Sequence, residues 1–391
     1  MSKKLEDIKE YLLKNNMDAY IAFSYENSNT LLKEILGKHF LTRKVFAFFN
    51  RDKENYLLVN QLDYPFVKDS DFKIFVYKTY QEMLALEKEM IKDYKKVLVD
   101  ISEDGVIPSI STADYGSVNF IKNQGIEVFS SGDLLTYLNC RIDEKGFLSM
   151  QEACRINLHI KDLAFEKIKE DILSRGYSDE YEIQKFIADK YEENDLFFDE
   201  PPIVAVNNNA SNPHYFPTVN SSRKIYRGDV VLIDMWCKLK NKDSIYSDIT
   251  WMGEADENVS LNVEKRFNVL KNSIDLALLY LHDNLSKRDV YGYQIDDVVR
   301  NYIRDKGYDK YFIHRTGHSI FSDLSPHGKG VNIDDYETRD ERRIINDIAF
   351  SLEPGIYMDD FGMRSETDVF IHDNVPVIVG GRPEKVIPIL K

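Results

Sequence analysis

Two pairs of β-prone runs, each closed by a short polar turn and each carrying acids at matched distances from it, constrain this chain most. In the first pair, GDVVLIDMWCKL and SIYSDITWMG flank the turn signal KNKD. Residues paired across an antiparallel hairpin have a constant index sum, and Asp234 and Asp248 are symmetric about Asn241. A simple register predicts them opposite each other, with Cβ atoms about 4.5–5.5 Å apart. In the second pair, AFSLEPGIYM and FGMRSETDVFI flank Asp359–Asp360, and Glu353 and Glu366 are symmetric about that turn. Phe350, Leu352 and Ile356 alternate with Ser351, Glu353 and Gly355, and Val369 and Ile371 alternate with Glu366 and Asp368. One face goes to a core, and the other presents the carboxylates together with Arg364. Two ionised carboxylates this close repel unless a proton or a cation sits between them. A lone strand acid is ordinarily satisfied by a salt bridge; two facing pairs point to bound cations.

Histidines extend the set. His314 and His318 lie four apart in YFIHRTGHSIF. Imidazole with carboxylates is a mixed N/O donor set that suits Mn, Co, Fe or Zn. His327 follows in SPHGKG, and His214 sits in NNNASNPHYFP, a loop by composition. Spacing alone leaves both open between a surface position and the site.

The length of 391 residues predicts two domains, which we place at residues 1–140 and 141–391. The first reads as a small α/β unit without a catalytic motif. Leu5, Ile8 and Leu12 mark its first helix, and short β-rich runs follow at 19–23, 45–49, 56–59, 72–77, 97–99 and 126–129. In the second, a long helix is predicted from about Phe147 to Ser174, stopping at Gly176. Asp179 with Glu182 resembles a capping box opening another helix through Tyr191. Phe267, Leu270, Ile274, Ala277, Leu278 and Leu281 form one helical stripe, and Ile295, Val298, Val299, Tyr302 and Ile303 a shorter one; both read as core packing.

Lys plus Arg number 51 against 66 Asp plus Glu, a net charge of -15. Such a chain repels phosphate backbones and anionic lipid, so neither nucleic acid nor membrane is an expected partner. Cys140, Cys154 and Cys237 are odd in number and widely spaced, which predicts neither a disulfide framework nor a Cys-based zinc site. A cytoplasmic protein is expected. The stretch MSKKLEDIKEYLLKNN lacks the apolar core of a signal peptide, and no apolar run is long enough to span a bilayer.

Taken together, these residues resemble the pita-bread superfamily of methionine aminopeptidase, aminopeptidase P, prolidase and creatinase. The superfamily's metal ligands are Asp, Asp, His, Glu, Glu in chain order. Asp234 ends the apolar strand VVLID, Asp248 lies in SDIT, and His318 closes His314-Arg-Thr-Gly-His318. Glu353 opens Glu-Pro-Gly-Ile-Tyr357, and Glu366 follows Arg364-Ser. The resemblance is specific over residues 150–391 and weaker over 1–135, which look like the small N-terminal domain of the prolidase and creatinase branch. It implies an α+β protein: a C-terminal pita-bread domain with a curved antiparallel sheet covered by helices, plus a smaller N-terminal α/β domain.

The resemblance also implies a cofactor, a substrate and roles. Two divalent metal ions, Mn first with Co or Zn as alternatives, would be held by Asp234, Asp248, His318, Glu353 and Glu366. Asp248 and Glu366 would bridge them, Asp234 would complete one ion, and His318 with Glu353 the other. Ions about 3.5–4 Å apart can share and activate one hydroxide. The implied activity is that of an Xaa-Pro dipeptidase or aminopeptidase acting on proline-containing di- or oligopeptides, in a homodimer. Glu353 would move the nucleophile's proton, His327 would stabilise the oxyanion, and His214 and His314 would line the proline side of the pocket. Arg364 would hold Glu366 or bind a substrate carboxylate, a task also open to Arg339, Arg342 and Arg343.

Departures from the pattern fall on pocket shape: Trp251 follows SDIT where Arg is usual, and SIFSDLSPH is longer than the common spacing between the two histidines. The alternatives are a creatinase-like metal-free amidinohydrolase and a non-catalytic binding protein of the same fold, both of which are expected to lose ligands that this chain keeps.

Overall fold

The computed structural model describes residues 3–37 and 39–391; Met1 and Ser2, the start of the amphipathic N-terminal stretch, and Lys38 lie outside the described residues. The chain divides into two compact units, Met1–Leu138 and Asn139–Lys391.

The first unit is built on a six-stranded sheet in the order 73–77, 56–60, 45–50, 19–24, 96–99 and 127–130. The central strands Ala19–Ser24 and Val45–Asn50 are buried along their whole length, which explains their unbroken apolar character. Helix Lys3–Lys14 lays Leu5, Ile8, Tyr11 and Leu12 on one face of the sheet. Met90, Ile91, Val118 and Ile121 cover the other.

In the second unit the long helix runs Glu144–Arg175, three residues earlier than its apolar pattern suggests. Asp143 caps it by accepting from Gly146 N at 2.8 Å, and Gly176 ends it in the left-handed conformation at φ 86°. Helix Glu180–Glu193 is capped by Asp179, which accepts from Tyr181 N and Glu182 N. The expected capping box is half formed, because the Glu182 carboxylate turns to Arg175 instead of the cap backbone.

Strand Val230–Leu239 is central to a largely antiparallel sheet. It pairs with Ser247–Glu254 on one side and with Ile203–Val206 and Leu196–Phe197 on the other. Ser319–Ile320, Ala349–Leu352, Thr367–His372 and Val375–Val379 form a second antiparallel sheet, and Gly355–Tyr357 with Gly362–Arg364 a separate ladder. Odd-numbered Val231, Ile233, Met235 and Cys237 pack on Ile160, Ala164 and Ile168 of the long helix. The second core holds Phe267, Leu270, Ile274, Ala277 and Leu281 of helix Leu261–Asn284, and Ile295, Val299 and Ile303 of helix Gly292–Asp305, with Phe350, Leu352 and Ile371. Among the described residues no helix is long and apolar enough to cross a membrane. All three cysteines are buried and unbridged.

Candidate metal centre

Strand alternation decides which residues face the site. With the odd positions of Val230–Leu239 turned to the helix, Asp234 and Trp236 point the opposite way and line a cavity of about 690 Å³.

The first hairpin departs from the symmetric register by two residues: Asp234 faces Thr250, and Asp248 faces Trp236. The aspartates are diagonal neighbours on one face, not directly opposed. The connection Lys240–Tyr246 is held asymmetrically. Ser244 N donates to Asn241 O at 3.1 Å, and Ile245 N donates to Ser149 Oγ of the long helix at 3.1 Å.

The second hairpin keeps the symmetric register, with Leu352 facing Thr367 and Gly355 facing Arg364. Its ladder breaks in between. Glu353 N donates to Thr316 O at 2.7 Å, Pro354 has no N–H to give, and Glu366 N donates to Thr250 O at 3.3 Å. Glu366 is thus tied by its backbone to the first hairpin.

Asp248, His318 and Glu366 are buried and offer ligand atoms that all lie within 4.8 Å of one another. His318 Nε2 stands 3.4 Å from Asp248 Oδ2 and 3.6 Å from Glu353 Oε1. His318 Nδ1 lies 3.1 Å from Ser319 O and so carries the proton, which leaves the Nε2 lone pair aimed at the carboxylates. Gly317 makes this placement possible. His318 N donates to Ser351 Oγ at 3.0 Å and Ser351 N to His318 O at 2.9 Å, an approach so close that a Cβ on Gly317 would collide with Ser351 O.

Asp234 stands apart from that trio and is gripped by Arg364 through Nη2 and Oδ2. The same guanidinium donates to Thr250 Oγ1 at 3.1 Å and to Tyr357 Oη at 3.2 Å. Thr250 Oγ1 donates onward to Glu366 Oε2 at 2.7 Å. Arg364 therefore acts on Asp234 directly and reaches Glu366 only through Thr250. Its guanidinium is buried and gives three of its N–H groups to protein partners, so the role the structure displays is to hold Asp234 and Thr250. Tyr357 Oη donates to His314 Nε2 at 2.7 Å, and His314 Nδ1 donates to Arg315 O at 2.7 Å. Both ring nitrogens of His314 are engaged, so it offers the cavity a ring face.

Burial, and then the neighbouring carboxylates, push Asp248 and Glu366 well above the ordinary carboxylate range. Burial also raises Asp234, against the opposing pull of Arg364. Burial works on Glu353 in the same direction, but the basic groups around it, among them the Arg364 and Arg315 guanidinium groups, outweigh it and bring the carboxyl below its ordinary range. Beneath them, buried Asp368 is raised by desolvation to about 8, and its Oδ2 accepts from Asp248 N at 3.0 Å. Carboxylates crowded in this way, with one imidazole lone pair among them, are a donor set that fits divalent cations.

His214, His314 and His327 all line the cavity; His214 and His327 are exposed at its rim. The His327 ring lies 4.0 Å from that of His318, centroid to centroid. Arg339, Arg342 and Arg343 do not line it. Arg339 pairs with Asp335, Arg342 with Asp340, and Arg343 with Asp289. The lining cation unforeseen from the sequence is Arg315, whose guanidinium lies 3.6 Å from Glu337 and makes no hydrogen bond among the described residues. Trp251 faces away from the cavity and packs over the long helix, with Lys161 Nζ 3.9 Å from its ring centre. It is Trp236, hydrogen-bonded to Asp199 at 2.7 Å, that forms part of the wall. Ser351 and Asp368, read from the sequence as sharing the carboxylate face, carried no assigned role, and Thr250 and Tyr357 were missed; Thr250, Ser351 and Asp368 each sit two residues from a proposed ligand, so period-two spacing was the signal that marked them. Asp199 and Glu200 carried no such signal.

Comparison with known proteins bears on the fold and the family. The Xaa-Pro dipeptidase of Lactobacillus delbrueckii subsp. lactis is 24% identical over 375 residues, covering 93% of this chain and 92% of that one. The prolidase of Pyrococcus horikoshii OT3 superposes with a TM-score of 0.57 at 20% identity, over 98% of this chain and 100% of that one. The X-Pro aminopeptidase of Thermotoga maritima MSB8 gives 0.56 at 20% identity, over 97% and 99%. At these identities the structural likeness carries the fold, the two-domain pita-bread architecture. The family model for metallopeptidase family M24 matches residues 149–373, more than half of the chain and a span that includes both hairpins and the histidines around them. The chain belongs to metallopeptidase family M24.

Proposed function

We propose that this protein is a metal-dependent Xaa-Pro exopeptidase. The observation that carries the reading is the convergence of Asp248, His318 and Glu366, with Glu353 beside them, on the floor of a peptide-sized cavity. Two divalent ions, Mn first, would be held by Asp234, Asp248, His318, Glu353 and Glu366. Bound there, they would polarise the scissile carbonyl and lower the pKa of water.

The chain's own residues do the rest. Glu353, held as a carboxylate, takes the proton that water loses as it adds to the carbonyl carbon. It returns that proton to the proline nitrogen as the C–N bond breaks. His327 at the rim donates to the developing oxyanion. The His314 ring face and His214 receive the proline ring, a substrate that fits a shaped pocket because its nitrogen has no N–H and its φ is fixed. Arg364 and Thr250 keep Asp234 and Glu366 oriented. Arg315 is the cation available to a substrate carboxylate.

The sequence relatives named Xaa-Pro dipeptidase support the substrate class. The buried, unbridged thiols support a cytoplasmic setting, and a homodimer is the expected assembly. The deciding experiment loads the protein with Mn, Co or Zn and measures cleavage of Gly-Pro against Xaa-Pro-Yaa tripeptides. Turnover that needs metal and a proline after the scissile bond is expected; full activity after exhaustive chelation would overturn the reading.

A further inference from the structure

The segment between Ile320 and His327 closes on itself. Ile320 and His327 form an isolated bridge, and Gly328 N donates to Ser319 O at 2.6 Å. The tip has no strand partner, so its carbonyls need donors from elsewhere. They find them on two residues of the first hairpin. Tyr246 N donates to Phe321 O at 3.4 Å. Lys238 Nζ donates to Ser322 O at 2.6 Å and to Asp323 O at 2.9 Å. Tyr246 Oη donates to Leu324 O at 2.8 Å. Four successive carbonyls are thereby taken by Lys238 and Tyr246, both buried, with the ammonium 4.8 Å from the Tyr246 ring centre.

The placement follows from the ladder. Lys238 lies on the same strand face as Asp234 and Trp236, and Tyr246 immediately precedes Ser247, where the ladder with Cys237 ends. The loop they hold contributes Ser325, Pro326 and His327 to the cavity. The His327 side chain makes no hydrogen bond among the described residues, so its position is set by the loop backbone and by its contact with His318.

We propose that Lys238 and Tyr246 are positioning residues, a clamp through which the first hairpin sets the place of His327 in the site. The inference rests on the peptidase reading for its catalytic consequence, but not for the clamp itself. Lys238→Met should lower kcat on an Xaa-Pro substrate about tenfold, within what a misplacement of order 1 Å costs. KM should stay within about twofold. Tyr246→Phe, which keeps the ring, should give a smaller loss in the same direction, and Lys238→Arg should recover most of the activity. Because the clamp acts through His327, Lys238→Met should add nothing to the loss caused by His327→Ala.

Hydrogen exchange of the whole protein supplies a readout independent of turnover. The amides of Tyr246, Phe321 and Gly328, which donate to Phe321 O, Pro326 O and Ser319 O, should exchange faster in Lys238→Met, while those of 230–237 and 247–254 should not change. An unchanged kcat, or losses that multiply in the double variant, overturns the proposal. If the wild-type protein cleaves no proline peptide, the peptidase reading falls, and the clamp stands or falls on exchange: unaltered protection of Tyr246, Phe321 and Gly328 sinks it.

Discussion

In the first hairpin the ladder runs without interruption from Val230–Glu254 to Cys237–Ser247, whereas in the second it stops after Leu352–Thr367 and resumes at Gly355–Arg364. The continuous ladder keeps Asp234 and Asp248 on one rigid face as diagonal neighbours. The gap in the other frees two backbone groups to bond outward, Glu353 to Thr316 and Glu366 to Thr250. A sheet that pairs perfectly with itself has nothing left with which to reach another sheet. The centre is assembled because one hairpin is regular and the other is not, and Thr250 joins them by backbone and by side chain.

Removal of a proposed metal ligand from either hairpin tests this most severely. Asp248→Ala and Glu366→Ala should each abolish turnover and tight metal uptake while the circular dichroism spectrum is kept. If one of them retains activity, the two hairpins do not both contribute to the centre. Thr250→Val, which keeps the shape and deletes the hydroxyl between Arg364 and Glu366, should weaken metal binding or activity by about 10–100-fold. A loss under twofold would mean that the backbone link alone joins the hairpins.

The acids' protonation gives a gentler probe. Asp248 and Glu366 are raised, so without a cation they keep protons to higher pH than ordinary carboxylates, and a cation must displace them. Metal affinity should therefore rise with pH and uptake should release protons, as calorimetry in buffers of different ionisation enthalpy would detect. Uptake without proton release would mean that the pair is already ionised. The smallest effect is expected at Trp251, on the helix side of the first hairpin. Trp251→Phe should cost about 1–2 kcal/mol of stability through the buried Lys161 contact, measured by urea unfolding, and leave KM unchanged. A shifted KM would show that the far face of this hairpin does influence specificity.

The alternation that the sequence displays accounts for much of what was legible. It gave the second hairpin its symmetric register on either side of Glu353 and Glu366, put Asp234 and Asp248 on a shared face, and separated the core-facing from the site-facing positions of both hairpins. The helical stripes at 267–281 and 295–303 were readable for the same reason: apolar periodicity reports a face that is buried. The first register was not readable from the chain. Its connection is shaped by Ser149, on a helix nearly a hundred residues earlier, and no local signal in KNKD encodes that contact. Trp251 was misjudged because a motif position was read without asking which way a strand residue of that parity points. Arg364 was given the wrong first partner because Asp234 meets it only when the two hairpins pack.

The sequence by itself determined the two hairpins, the four acids they carry and the faces those strands turn to the core, because period-two and period-3.6 patterns are local consequences of backbone geometry. Tertiary structure alone decided the two-residue register of the first hairpin, the break in the second, the Arg364–Thr250–Glu366 chain and the Lys238–Tyr246 hold on the loop before His327. Each of these is a polar group finding its partner across a long stretch of sequence. A donor or acceptor must be satisfied somewhere, but which of the distant candidates satisfies it is settled only when the sheets come together.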